Sequence, residues 1–176
     1  MIFYSPDRKG EHPQKHLKSF AAVLYANGYA EFNAIFGTGQ VTEDGCWAHV
    51  RFEFFDEHAT KPSTITTEAL YRIGALYGIE DTIRGKPYNE RQRVRRDESQ
   101  PRLDALKAWI EATLPKLSAK AEIAKAMRYT LTRWSALIRY IDDRTLEVDN
   151  NAAQIAIRGI ALGLKNWLIV GLDVGG

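Results

Sequence analysis

A chain of 176 residues is long enough for one domain with a real core, or for a small core with an inserted subdomain. Its 24 Lys and Arg residues against 22 Asp and Glu residues give a formal charge of +2, which is too small to indicate nucleic-acid binding by itself. Cys46 is the single cysteine, which excludes an intrachain disulfide, and no secretory leader or long apolar run is seen. The composition therefore predicts a cytoplasmic protein that does not enter a membrane.

The first sixty residues alternate between strand-like and helical segments. Short apolar runs closed by turn residues predict strands, and apolar residues at helical spacing predict helices. The predicted elements are strands at 1–5, 22–25 and 40–43, and helices at 12–20 and from 46 to about 58. The last of these helices would carry Phe52, Phe55 and Ala59. Because the strand at 22–25 stops at Asn27-Gly28, the turn would lie at the sheet edge where α/β proteins place their chemistry.

From Pro62 onward the pattern predicts helices only. The first predicted helix is ended by Gly85-Lys86-Pro87, and its apolar face consists of Ile65, Ala69, Ile73, Leu76 and Ile83. Pro101 would break or start the second helix, which buries Leu103, Leu106, Ile110 and Leu114. Ser118 would cap a third long helix, whose core face is Ile123, Met127, Leu131, Trp134, Leu137 and Ile141.

The middle of the chain carries a concentrated basic segment. Its cations are Lys86, Arg91, Arg93, Arg95, Arg96 and Arg102, and they stand among Glu90, Asp97 and Glu98. Arginines at this density could contact DNA phosphates, but the interleaved acids favour a solvated helix face.

The stretch from Leu146 to Leu172 joins a helix start, a helix and a basic, aromatic tail. The Asp-Asn-Asn run at 149–151 can cap a helix that begins near Ala152. Gln154, Arg158 and Lys165 share a face that could meet a polar cleft or a phosphate. The Lys165-Asn166-Trp167 triplet could set a cation and an aromatic ring against DNA, although the apolar tail around Trp167 favours a core position for that ring.

Cys46 and His49 have the spacing of half a zinc site. No second pair stands at ligand spacing, because His12, His16 and His58 are scattered. A packed cysteine and a hydrogen-bonded histidine are therefore the favoured interpretation.

Four stretches, in order, resemble the C-terminal part of a DDE transposase of the insertion-sequence sixty-six family. They are YSPDRKGEHPQKHL at 4–17, LYANGYAEFNAIF at 24–36, CWAHVRFEFF at 46–55 and DNNAAQIAIRGIALGLKNWL at 149–168. The resemblance implies an α/β, ribonuclease-H-like core interrupted by a large all-helical insertion, predominantly α by content. The implied parts are an incomplete core at 1–61 whose first strands are missing, the insertion at 62–141, and the last catalytic-core helix with its tail at 142–176.

The family's chemistry implies three carboxylates that hold two divalent metals, Mg²⁺ or Mn²⁺, about 4 Å apart. Asn27 stands at the family's second Asp position and Gln154 at its Glu position, while the first Asp is expected on a strand upstream of Met1. Neutral amides bring no charge to offset two dications. We therefore expect an inactive transposase remnant that does not bind metal productively.

Two alternatives remain at this stage. Other acids, such as Asp44, Glu147 or Asp149, could have replaced the missing ones, but that requires a rebuilt geometry. Alternatively, the chain could be an inhibitory subunit that binds DNA or pairs with an intact transposase. The expected partners are the DNA ends of the element, an intact transposase or a second copy, with DNA contacts from Arg158, Lys165, Asn166 and Trp167.

Overall fold

The computed structural model describes residues 15, 23–25 and 41–150. Strand β1 (Val23–Tyr25) pairs with strand β2 (Thr42–Asp44) in a two-stranded sheet, so both strands lie close to their predicted positions. The predicted strand at 1–5 lies outside the described residues, as does the helix predicted at 12–20 except for Lys15, which is helical.

Helices account for most of the described residues, which confirms the predicted predominance of α structure. They are α1 (Trp47–Thr60), α2 (Thr64–Ile83), α3 (Tyr88–Val94), a π-helical segment (Arg95–Ser99), α4 (Gln100–Thr113), a 3₁₀ turn (Leu114–Lys116), α5 (Glu122–Thr132), α6 (Trp134–Leu137) and a second 3₁₀ turn (Arg139–Ile141). Two short strands are too few to define the predicted ribonuclease-H-like core. Within the described part of the chain, no helix combines the length and apolar character needed to cross a bilayer.

Residues 44–149 form one compact unit. Helix α1 belongs to it, because α1 packs against both α2 and α5. The segment 142–149, which follows the second 3₁₀ turn, belongs to it as well. The unit therefore includes the predicted insertion at 62–141 and extends past both of its limits.

Helix α1 buries one face of its surface. Its buried side chains are Trp47, Val50 and Phe54, at three- and four-residue spacing. Phe52 is 57% exposed and Phe55 54% exposed, and Ala59 is exposed too. The two phenylalanines lie on other faces of the helix because α2 and α5 cover only one stripe of it.

Helix α2 begins at a capping box and ends, as predicted, before Gly85. At its start Ser63 Oγ accepts a hydrogen bond from the Thr66 backbone N–H at 3.1 Å, and Thr66 Oγ1 accepts one from the Ser63 N–H at 3.1 Å. Past its end Gly85 has a φ of 75°, a conformation that glycine adopts without strain. The predicted apolar face is confirmed, with Ile65 half-buried and Ala69, Ile73, Leu76 and Ile83 fully buried.

The helix is continuous from α3 through the π segment into α4. Pro101 stands in the first turn of α4, where its missing N–H is tolerated, and the Gln100 N–H donates to the Arg95 carbonyl five residues back. Residues 91, 95, 99 and 103 are all buried. Four-residue steps drift by about 40° each on a regular α-helix, and the wider π turn absorbs that drift. As predicted, Leu103, Leu106 and Ile110 are buried, and Leu114 is half-buried.

The prediction of one long helix from Ser118 to Ile141 is wrong. The chain forms α5, α6 and a 3₁₀ turn, with a break at Arg133 (φ −99°, ψ 8°). The first helix begins at Glu122, and Ser118 Oγ accepts only a long 3.4 Å bond from the Lys120 N–H. The predicted core side chains still point inward: Ile123, Met127, Trp134, Leu137 and Ile141 are buried and Leu131 is half-buried.

Distant donors explain the shortened helices after Arg133. The Ala136 carbonyl accepts a hydrogen bond from the Gly45 N–H at 3.2 Å, and the Leu137 carbonyl accepts one from the Trp47 indole at 2.9 Å. Both carbonyls therefore bind groups near the start of α1. In a longer straight helix they would instead accept hydrogen bonds from N–H groups of the same helix.

Candidate functional site

The residues predicted to carry the chemistry lie outside the described part of the chain. They are Asn27, Gln154, Arg158, Lys165, Asn166 and Trp167. The structure does describe residues 142–149, here called the connector, which lead into the predicted capping run at 149–151. The geometry of the connector is therefore the described feature closest in sequence to Gln154.

Arg95 is the centre of the contacts that hold the connector. Its side chain is fully buried and forms a two-point ion pair with Glu80 of α2, with Nε 2.8 Å from Oε1 and Nη2 2.7 Å from Oε2. Its Nη1 donates to the carbonyls of Tyr140 at 3.1 Å and Leu146 at 2.9 Å, and the guanidinium lies 5.1 Å from the centre of the Tyr140 ring. A buried guanidinium needs this many acceptors, because burying an unpaired charge is very costly.

Three further side chains of the same helix bind the connector. Arg91 donates to Glu147 at 2.6 Å, Gln92 Nε2 donates to the Asp142 carbonyl, and Arg96 donates to the Asp142 carboxylate at 2.8 Å. Side-chain donors on successive turns of α3 and the π segment therefore hold the connector along this helix.

The predicted solvated face for the basic segment is wrong for two of its arginines. Arg95 is fully buried and the Arg91 side chain is 10% exposed, whereas the Arg93 side chain is 70% exposed and that of Arg96 57% exposed. Residues 91 and 95 have the four-residue spacing that leads on to the buried Ser99 and Leu103. Together with Glu80 on the apolar face of α2, that spacing was a signal for an internal ion pair.

Helix α1 holds the end of the connector. The Trp47 backbone N–H donates to the Val148 carbonyl at 3.2 Å, and the Trp47 ring packs edge-on against Trp134 with centroids 5.9 Å apart. Leu146 and Val148 are both buried. The backbone is thus bound immediately before Asp149.

Burial shifts the acidity of two tyrosines in this region. Burial, aided by the neighbouring Asp149 carboxylate, raises the pKa of the Tyr77 phenol. Burial and Glu80 together raise the pKa of Tyr140, while the Arg95 guanidinium opposes the shift. In the connector, the Thr145 hydroxyl and N–H both donate to Asp143, which lowers the pKa of that carboxyl.

Cys46 agrees with the favoured interpretation of a packed cysteine, whereas the His49 ring forms no hydrogen bond with a described residue, because its contact with Glu53 is too long for one. Cys46 is buried, while His49 Nε2 lies 3.7 Å from Glu53 Oε1 and the ring centroid 5.7 Å from that of Tyr129. Among the described residues, no three His, Cys, Asp or Glu side chains are grouped so that they could hold a metal ion. Asp44, Glu147 and Asp149, the alternative acids, therefore form no such group there.

Comparison with known proteins finds one family that matches the whole sequence. A family model described as Transposase IS66 family matches residues 1–176. Three uncharacterized proteins of Sinorhizobium fredii (strain NBRC 101917 / NGR234) are similar: y4hP is 35% identical over 191 residues, covering 99% of this chain and 35% of that protein; y4qI is 34% identical over 169 residues, covering 92% and 31%; and y4jD is 31% identical over 179 residues, covering 98% and 35%. The chain thus spans about a third of the length of these relatives. No solved structure matches it.

Proposed function

Because the chain belongs to the Transposase IS66 family, we propose that this transposase-like protein of a mobile DNA element has lost DDE catalysis. The family match over residues 1–176 is the observation that carries the transposase assignment. The proposed loss of catalysis rests on Asn27 and Gln154, which stand where the family resemblance implies an Asp and a Glu.

The chemistry of phosphodiester cleavage explains why two amides matter. Two divalent ions must activate the attacking oxygen and stabilise the leaving oxygen, and carboxylates hold them in place. Amide carbonyls can coordinate Mg²⁺ or Mn²⁺, but they add no negative charge to balance the two ions. Weak metal binding and no strand transfer follow from this missing charge.

The proposed fold is a ribonuclease-H-like core whose last helix carries Gln154. The proposed location of the protein is the cytoplasm. The pairing of β1 with β2 and the contacts that hold the connector support the proposed fold. In this proposal Arg95 and Trp47 have a positioning role, since they bind the backbone at Leu146 and Val148, just before the run that would cap the last helix.

A cleavage assay tests the loss of catalysis. The purified chain is incubated with supercoiled plasmid carrying the element's ends, in Mg²⁺ or in Mn²⁺, with an unrelated metal-dependent nuclease as the positive control. We expect no nicking above the level seen with EDTA. Metal-dependent nicking that follows the chain through purification would overturn the proposal.

A second candidate function is inhibition, through binding to the element's DNA ends or pairing with an intact transposase. It is favoured by the compact unit at 44–149, which keeps a buried core and a buried ion pair although the implied catalytic positions are amides. Gel shifts with the element's ends and pull-downs with an intact family member separate the two candidates. Absence of both interactions removes the inhibitory function.

A further inference from the structure

We propose that the start of α5 carries a surface for the phosphate backbone of duplex DNA. This surface, called the basic face, consists of Lys116, Lys120, Lys125 and Arg128. The proposal rests on the proposed function, which supplies DNA as the partner, and it places the contact away from the basic segment at 86–102.

The charge along the chain is most uneven in this region. Between Glu111 and Asp142 there are six basic residues and one acidic residue, Glu122. The segment 86–102, by contrast, has three acidic residues for its six basic ones, and Arg91, Arg95 and Arg96 also bind acids from elsewhere. Acids therefore pair with most of the cations in the segment 86–102, whereas Lys116 and Lys120 in the later run form no ion pair with a described residue.

One side-chain contact holds the loop that carries Lys120 against the helix that carries Lys125 and Arg128. Arg128 Nη2 donates to the Ala119 carbonyl at 2.6 Å, and Lys120 follows Ala119 in that loop. Lys125 and Arg128 are three residues apart and share a helix face. Lys116 ends the 3₁₀ turn that enters the same loop.

These cations are available to a ligand. Lys116 and Lys120 are exposed and form no ion pair with any residue that the structure describes. Lys125 pairs with Glu122 at 2.6 Å, but both side chains are more than half exposed, and exposed pairs of this kind are weak. Arg128 uses one of its five N–H donors on Ala119.

Duplex DNA fits this surface better than a small anion does. The cations occupy a loop and the adjoining helix face rather than a closed pocket, and such an open array suits a line of phosphates. The surface would position the protein without selecting a sequence, because phosphate contacts carry no base information.

Fluorescence anisotropy with a labelled duplex tests the basic face in the full 176-residue chain. The test variant is Lys116→Gln/Lys120→Gln, and the matched control is Arg84→Gln/Arg93→Gln. The control removes the same two charges from side chains that are 80% and 70% exposed. Binding is measured over a range of NaCl concentrations, and thermal melts followed by circular dichroism show that each variant is folded.

We expect the test variant to bind about tenfold more weakly at low salt, and its plot of log K against log [NaCl] to flatten by about 2, roughly one for each lost phosphate contact. The control should stay within about twofold of the unmodified chain, because its charges lie elsewhere. Equal losses in both variants, or unchanged binding by the test variant, overturn the basic face and leave the proposed function standing. Absence of DNA binding by the unmodified chain overturns the DNA contact in both proposals.

Discussion

Gly45 lies against the backbone of α6 with no space for a side chain. A Cβ at this position would be 2.8 Å from the Leu137 nitrogen and 2.9 Å from its Cα. Because backbone atoms cannot move aside as a flexible side chain can, Gly45→Ala should lower the free energy of unfolding by about 1–3 kcal/mol. Urea denaturation measures it. The control is Gly78→Ala in α2, where a Cβ meets none of the described atoms within 4 Å. This control should raise the free energy of unfolding by about 0.5–1 kcal/mol. Equal effects would contradict this account.

The buried pair of Arg95 and Glu80 makes a second prediction for a single side chain. Arg95→Met leaves the Glu80 carboxylate buried without its cation, and it should reduce the free energy of unfolding by about 3–5 kcal/mol. The neighbouring Arg96→Met removes an exposed pair with Asp142 and should cost less than about 1 kcal/mol. Adding Glu80→Leu to Arg95→Met should recover part of the loss. Equal costs for Arg95→Met and Arg96→Met would show that the buried pair is not important for stability.

The raised pKa of Tyr140 predicts how the stability of the protein changes at alkaline pH. Its pKa is raised by burial and by Glu80, so the folded state holds the phenolic proton more tightly than the unfolded state does. The resulting stability is complete below about pH 10, the ordinary tyrosine pKa, and is lost as the pH rises above it. Tyr140→Phe should therefore reduce the fall in melting temperature above about pH 10. An unchanged alkaline fall in the variant would contradict the assignment to Tyr140.

At the scale of elements, the join between α1 and α2 depends on one capping box. Ser63 and Thr66 exchange hydrogen bonds at the start of α2, and His58 Nδ1 lies 2.8 Å from Thr66 Oγ1, which links the end of α1 to the same site. Ser63→Ala should cost about 1 kcal/mol. Thr67→Ala is the control, because Thr67 Oγ1 only donates to a carbonyl and is exposed. Chemical denaturation of both variants compares them, and an equal or larger loss for Thr67→Ala would contradict the role of the cap.

The elements that the sequence predicts well are those defined by local signals. The apolar spacing of α2 and its terminal glycine lie within a few residues of the features they determine. The end of α6 at Leu137 could not be predicted in this way, because the Ala136 and Leu137 carbonyls bind groups about ninety residues earlier in the chain. The buried face of α1 was not predicted, because the helices that cover it cannot be identified from the sequence of α1 alone.

At the scale of the whole molecule, the motifs indicate the family and the family match confirms it. The polar interior was not predictable from charge counting, because the composition of a basic segment is the same whether its arginines are solvated or paired with buried acids. Arg95 is buried because Glu80 and two carbonyls of the chain meet it in space. Asn27 and Gln154 remain predictions, since they lie outside the described residues.

Restoring both proposed carboxylates provides a test of whether Asn27 and Gln154 belong to one metal site. We expect Mn²⁺ to leave the melting temperature of the unmodified chain unchanged, and to raise that of the Asn27→Asp/Gln154→Glu variant by more than the sum of the two single variants. The reason is that one added carboxylate supplies too little charge, whereas two that bind the same ions reinforce each other. A ligand that binds only the folded state raises the free energy of unfolding by about 2.7 kcal/mol when the ligand concentration is a hundred times Kd.

The single variants control for added charge, and EDTA should reverse the effect of the metal. A strictly additive shift would mean that positions 27 and 154 do not share a metal. A shift of the same size in the unmodified chain would mean that the amides already bind it, and that loss of charge does not explain the proposed loss of catalysis.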